Sequence, residues 1–191
     1  MFASPSTVLL GFFSTVVLAS ALSNRQISSG CTPSFQGIPV NIMVGDGGNG
    51  LAPSNDSTGS YILNDGCIHS NPLFLLENTG HSPSSFIIKD QNNHDLVVYA
   101  ASGTSPAIQL NAIDNSGQDE RQDWIINCST CAEASNPVPT VGGTFGQWCQ
   151  IANSLTGLCV QPEGSAGTFP VLTACDVTNS NQKFDFVRGL N

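Results

Sequence analysis

Two stretches of this chain repeat one order of strands and turns, and both close on a glutamine two residues before an aromatic ring. In the first, Phe86-Ile87-Ile88 leads through a polar turn, Asp90 to Asp95, into Leu96-Val97-Val98. A loop then reaches Ala107-Ile108-Gln109-Leu110, and Gln122-Asp123-Trp124 closes the unit. In the second, Cys149-Gln150-Ile151 leads through Ala152 to Gly157 into Leu158-Cys159-Val160, then Pro170-Val171-Leu172 and Gln182-Lys183-Phe184. A supersecondary unit repeated in this way buries its apolar face by stacking on its copies. A third, degraded copy precedes them, from Gly37-Ile38-Pro39-Val40 to Pro72-Leu73-Phe74. Phe74, Trp124 and Phe184 stand 50 and 60 residues apart, so loops absorb the excess, and Ser129 to Gly146, rich in Pro, Gly, Ser and Thr, reads as an insertion after the second copy.

Helical periodicity is hard to find after the N-terminus, whereas short β-branched and aromatic runs bounded by turn residues are common. Strands are expected at Ile38 to Val44, Leu73 to Leu76, Phe86 to Ile88, Leu96 to Ala100, Ile108 to Leu110, Trp124 to Ile126, Leu158 to Gln161 and Val171 to Ala174. Turn clusters such as Asp46 to Gly50, Asn92-Asn93, Asp114 to Gly117 and Gly164 to Gly167 separate them. The pattern is that of an all-β sandwich or barrel.

The N-terminus reads differently. Val8 to Leu22 is apolar, broken only by Ser and Thr, uncharged, and too short to span a bilayer comfortably. It ends in Ala19-Ser20-Ala21, the small-residue pattern signal peptidase accepts, so residues 1–21 are expected to be a signal peptide and 22–36 an N-terminal extension. Residues 37–191 are expected to form one domain. No second apolar segment of membrane length follows, and all seven cysteines lie after Ala21, which suits an oxidising compartment and a secreted protein. Asn55-Asp56-Ser57 and Asn127-Cys128-Ser129 are glycosylation sequons, the second the weaker acceptor.

Charged residues make up 10% of the chain, against roughly 25% in an average domain, so the surface is expected to carry mostly neutral hydrogen-bonding groups. A net charge of -9 with five Lys and Arg excludes nucleic acid and anionic membrane as partners, because neither could be neutralised. Neutral glycans and protein surfaces remain.

Three four-stranded repeats, the second and third ending in Gln-x-Trp and Gln-x-Phe, resemble the ricin B-type lectin family, and in particular the small secreted ricin B-like proteins of fungi. The matching residues are Thr156-Gly157-Leu158-Cys159-Val160-Gln161, Cys175, Asn181-Gln182-Lys183-Phe184 and, more loosely, Gln122-Asp123-Trp124. The resemblance implies a β-trefoil in which the closing aromatics fill a shared core and the preceding glutamines bond backbone groups that burial would otherwise orphan. It also implies a within-repeat disulfide, Cys159 to Cys175.

Sugar binding in that family uses an Asp after the second strand, an aromatic on the third strand and an Asn before the closing Gln. This chain departs from the pattern. In the last repeat Gln161 stands for the Asp and Thr173 for the aromatic, while Asn181 and Gln182 match. In the middle repeat the three positions hold Tyr99, Asn111 and Arg121. Neither repeat carries a complete galactose site, and the remaining candidate ligand-binding residues are Gln161, Asn181 and Gln182, which the alternative reading makes simple ties between loops.

Of the other cysteines, Cys31 and Cys67 are expected to pair across the degraded repeat and tie the N-terminal segment to the barrel. One of Cys128 and Cys131 is expected to bridge to Cys149, which leaves one of the seven over. Cys128-Ser129-Thr130-Cys131 lacks the two further ligands zinc needs, and a metal trio of His69, His81 and His94 would need convergence that loops do not promise, so neither metal nor cofactor is expected. Nothing resembles a nucleophile elbow, a phosphate loop or an acid pair, and no enzyme is expected. The leading expectation is a secreted carbohydrate-binding module with a degenerate site. The runner-up is a protein-interaction trefoil, an accessory subunit of a secreted enzyme or a protease inhibitor, with the insertion around Asn136-Pro137-Val138-Pro139 and the leftover cysteine inviting partners.

Overall fold

The computed structural model describes residues 30–35, 37–45, 48–65, 73–101, 108–132 and 138–189. The expected signal peptide, His69 and Cys67 lie outside them. Thirteen strands follow in order: β1 (Pro39–Val44), β2 (Gly50–Pro53), β3 (Ile62–Asp65), β4 (Phe74–Asn78), β5 (Phe86–Asp90), β6 (Leu96–Ala100), β7 (Ile108–Ala112), β8 (Asp123–Asn127), β9 (Thr130–Cys131), β10 (Thr144–Asn153), β11 (Cys159–Gln161), β12 (Val171–Thr173) and β13 (Phe184–Arg188).

β5 shows why these segments extend. Phe86, Ile88 and Asp90 are buried while Ile87 and Lys89 are half-exposed, the period-two alternation of a strand with one face on a core. The turn that follows β10 is set by Gly157, whose φ of +62° lets its N–H return to the Asn153 carbonyl at 2.7 Å.

Six strands close on themselves: β1 pairs with β4, β4 with β5, β5 with β8, β8 with β10, β10 with β13 and β13 with β1, all antiparallel. Closure leaves the barrel no free edge. Three hairpins, β2–β3, β6–β7 and β11–β12, continue from β1, β5 and β10. Met43↔Gly50, Lys89↔Val97 and Ala152↔Cys159 are the equivalent junctions. This is a β-trefoil, as the family resemblance implied. The first repeat, degraded in sequence, has all four strands. Its hairpin escapes a sequence reading because Gly50–Pro53 and Ile62–Asp65 are short and contain Gly, Pro, Asn and Asp.

The register aligns the repeats residue by residue. Phe74, Trp124 and Phe184 sit opposite Val40, Phe86 and Cys149 on the neighbouring strand, and all three rings are fully buried. Trp124 Nε1 donates to the Val98 carbonyl at 2.9 Å, which satisfies the one polar atom of the indole. Ile42, Ile88 and Ile151 form the next core layer.

The N-terminal segment seals one end of the barrel. Phe35 is 2% exposed, with ring centroids 5.3, 5.6 and 5.0 Å from Phe86, Phe145 and Phe186. Phe35 of the expected extension therefore belongs to the core, with Cys31 packed against it.

The disulfide expected between Cys31 and Cys67 is corrected: Cys31 bonds to Cys131. Reciprocal backbone hydrogen bonds of 2.9 and 2.8 Å hold Cys31 against Cys128, which brings its Cα to 6.0 Å from that of Cys131 on the adjoining strand. Tethering of the N-terminal segment stands, through a different partner. Cys128 pairs with Cys149 and Cys159 with Cys175. Gly146 is required beside the first of these, because a Cβ there would lie 2.6 Å from Cys128 Sγ and 3.0 Å from Cys149 Sγ. The expected insertion is strand at both ends, with Gly146↔Cys131 and Gln147↔Thr130 joining β9 to β10.

Candidate functional site

Each closing glutamine braces the loop behind it. Gln182, 1% exposed, donates to the Ala174 carbonyl at 2.9 Å and accepts from the Asp176 N–H at 2.8 Å. Gln122, 3% exposed, repeats this with the Ala112 carbonyl at 2.8 Å and the Asp114 N–H at 2.8 Å. A buried primary amide with one donor and one acceptor engaged satisfies two backbone groups at once. Asp114 and Asp176 in turn accept from the hydroxyls and backbone N–H groups of Ser116 and Thr178, which hold both carboxyls below their ordinary value.

The register also fixes the positions where the resembled family contacts sugar. Val97↔Asn111 and Cys159↔Thr173 are equivalent pairs, so Tyr99 matches Gln161, and Asn111 matches Thr173. In the first repeat the same positions are Ala52 and Asp65. In the last repeat Gln161 Oε1 accepts from Asn179 Nδ2 at 2.9 Å and from Gln182 Nε2 at 3.2 Å. Asn179 Oδ1 accepts the Asn181 N–H at 3.0 Å, which sets the short 3-10 turn that presents Asn181 to solvent. The fold thus brings Gln161, Asn181 and Gln182 together. Asn181 is exposed, Gln161 and Thr173 are half-buried, and Gln182 is turned inward to its brace.

The middle repeat fills the same place differently. Tyr99 is 8% exposed, and the Arg121 guanidinium lies 4.9 Å from its ring centroid. Asp119 holds that guanidinium by two hydrogen bonds, 2.7 and 2.9 Å, and thereby raises its already high pKa. A planar cation clamped over a buried ring closes the position.

Other polar groups sort into structure and surface. His81, expected to be a plain loop residue, has its Nδ1 2.8 Å from Oδ2 of buried Asp123, and both face a cavity of about 340 Å³ with Ser82, Gln118, Glu120 and Ser154. Sequence reading missed this pair because 42 residues separate its members. His94 is exposed. Asp90 is fully buried, accepts from the Asn92 N–H at 3.1 Å, and has its pKa raised chiefly by that burial. Asn55 lies in an exposed turn, whereas Asn127 is a half-buried strand residue next to the Cys128 disulfide. Among the described residues no group of three His, Cys, Asp or Glu could hold a metal ion, and no helix is long and apolar enough to cross a membrane.

No protein-family model and no curated protein sequence matches the chain. Solved structures do. A designed three-fold symmetric protein, ThreeFoil, matches with a TM-score of 0.55 at 9% identity over 78% of this chain and 96% of its own. A BEL β-trefoil matches with a TM-score of 0.55 at 12% identity, over 79% of this chain and 92% of its own. A Polyporus squamosus lectin, bound in its structure to a Neu5Aca2-6Galb1-4GlcNAc epitope, matches with a TM-score of 0.51 at 19% identity. That likeness covers 80% of this chain but 50% of the lectin. At such identities the shared property is the fold, and the fold is a β-trefoil.

Proposed function

We propose that the protein is a secreted, non-catalytic carbohydrate-binding module whose last repeat carries an altered sugar site. The observation that supports this best is the connected set of uncharged amides around the Gln161 position of that repeat, Gln161, Asn179 and Gln182, with Asn181 exposed beside them. Amide groups offer both donors and acceptors, which suits the mixed hydrogen-bonding surface of a neutral sugar. Without a stacking ring at Thr173 or a carboxylate at Gln161, these contacts are nearly offset by lost water bonds, so affinity is weak. The three disulfides and the apolar N-terminal stretch support export to an oxidising compartment. Titration of the purified protein against a panel of neutral glycans is expected to give millimolar-range binding; no binding to any glycan at that concentration would sink the reading.

One observation favours the second reading, a trefoil that binds a protein. Trp148 is 41% exposed and has a φ of +54°, with its N–H held by Asp185 Oδ1 at 2.9 Å, and Val141 of the same inter-repeat region is 48% exposed. An exposed indole on a strained backbone fits an anchor for a partner's pocket. Co-purification of a stoichiometric secreted protein, lost on Trp148→Ala, is the outcome that would replace the carbohydrate reading.

A further inference from the structure

The register that aligns the repeats carries a consequence on the hairpin cap. Ala52↔Leu63 in the first repeat corresponds to Gln161↔Val171 in the third, so Tyr61 and Phe169, two residues before Leu63 and Val171, occupy the same place in their repeats. The two rings meet edge to face, centroids 5.2 Å apart at 71°, and each stays about two-fifths exposed, 40% for Tyr61 and 39% for Phe169. Counting along the second repeat gives Ala107 as the third equivalent, outside the described residues.

The pair stands on a braced floor. Tyr61 bridges to Gln109 of the second hairpin, flanked by Leu110 N–H to Ser60 carbonyl at 2.6 Å and Gly59 N–H to Leu110 carbonyl at 2.8 Å. Phe169 follows Thr168, whose carbonyl accepts the Asn64 N–H at 2.8 Å. Asn64 is buried where the other repeats place Leu110 and Leu172, and its Nδ2 reaches the Gly164 carbonyl at 3.3 Å. A core position is thus given to an amide that joins the first and third hairpins under the two rings.

From this geometry we infer a second carbohydrate contact, separate from the Gln161 cluster: Tyr61 and Phe169 form a platform on which the apolar face of a neutral pyranose stacks. Size and charge select that occupant. Two-fifths of two aromatic side chains is roughly 120–200 Å², several-fold below the roughly 800 Å² per partner that a stable protein interface buries. The groups in direct contact with the pair's backbone, Ser54, Gln109 and Thr168, are uncharged hydroxyls and an amide, suited to equatorial sugar hydroxyls and unsuited to sialic acid or sulfate. Braced rings lose little freedom on binding, which favours even a small contact.

The inference rests on the carbohydrate reading above, and its test separates the two. Wild-type protein, Tyr61→Ala, Phe169→Ala, Phe169→Tyr and Gln161→Ala are titrated with the neutral oligosaccharide that binds best on a glycan panel. Both alanine variants are expected to lose about tenfold in affinity, while Phe169→Tyr keeps most of it. Binding that survives both alanine changes but falls in Gln161→Ala overturns the platform and leaves the carbohydrate reading intact. Wild-type protein that binds no glycan overturns both. Should an alanine variant unfold early, saturation-transfer NMR on the wild type decides: saturation passing from the Tyr61 and Phe169 ring protons to the sugar supports the platform, and transfer confined to other residues overturns it.

Discussion

The second and third repeats share one frame and differ in what they hang on it. Gln122 and Gln182 brace their loops with the same pair of backbone bonds, and Trp124 and Phe184 fill the same register in the core. The positions beside them diverge completely: Tyr99 under Arg121 in one, Gln161 among amides beside exposed Asn181 in the other. In the third repeat Gln182 both braces its loop and donates to Gln161, so the frame and the amide set share a residue there. In the second repeat an ion-paired cation covers Tyr99, and in the third the amide set leaves Asn181 exposed.

The largest expected effect tests the shared frame. Trp124→Ala and Phe184→Ala should each cost about 3–5 kcal/mol in chemical denaturation, with the larger loss at Trp124, whose removal also orphans the Val98 carbonyl. A loss below 1 kcal/mol at either ring would show that the two repeats do not share one core. Next, Gln122→Ala and Gln182→Ala should each cost about 1–3 kcal/mol by stranding two backbone groups, and equal costs would confirm that the braces are interchangeable. A smaller effect separates the sites: Arg121→Ala should lower the melting temperature slightly through the lost cation–π contact without changing sugar affinity, whereas Asn181→Ala should leave the melting temperature alone and weaken sugar binding.

The subtlest test makes the second repeat like the third. Asp90 and Asn153 are register equivalents, each buried at the end of its repeat's first strand. Burial raises the Asp90 pKa, so folding favours its protonated form, and its contribution is present below the ordinary carboxylate value of 3.8 and lost as pH rises through the raised folded value. Asp90→Asn should therefore raise the melting temperature at pH 7 and lose that advantage near pH 3. Equal melting curves at both pH values would show that Asp90 is accommodated as a carboxylate.

Much of the frame was legible because it rests on local chemistry. Leu96 to Ala100 reads as a strand and is one, and the structure buries all five residues. The Gln-x-aromatic closures announce both the braces and the core rings. The first repeat's hairpin was illegible because its strands are too short and too rich in Gly, Pro, Asn and Asp to show a period. The His81–Asp123 pair and the Tyr61–Phe169 pair were illegible for another reason: each joins residues far apart in the chain, and only strand register brings them together.

By itself the sequence determined an all-β chain of repeated units and, through its family resemblance, the Cys159–Cys175 disulfide and the departure of the last repeat from a galactose site at Gln161 and Thr173, while it left Cys128 and Cys131 as alternatives for Cys149. The tertiary structure decided the partner of Cys31, the place of Phe35 in the core and the meeting of the hairpins at Tyr61 and Phe169. The division follows from range. Strand period, turn chemistry and closing motifs act over a few residues and are written in order along the chain. Barrel closure sets which distant strands become neighbours, so contacts between repeats and the N-terminal seal exist only once the ring is formed.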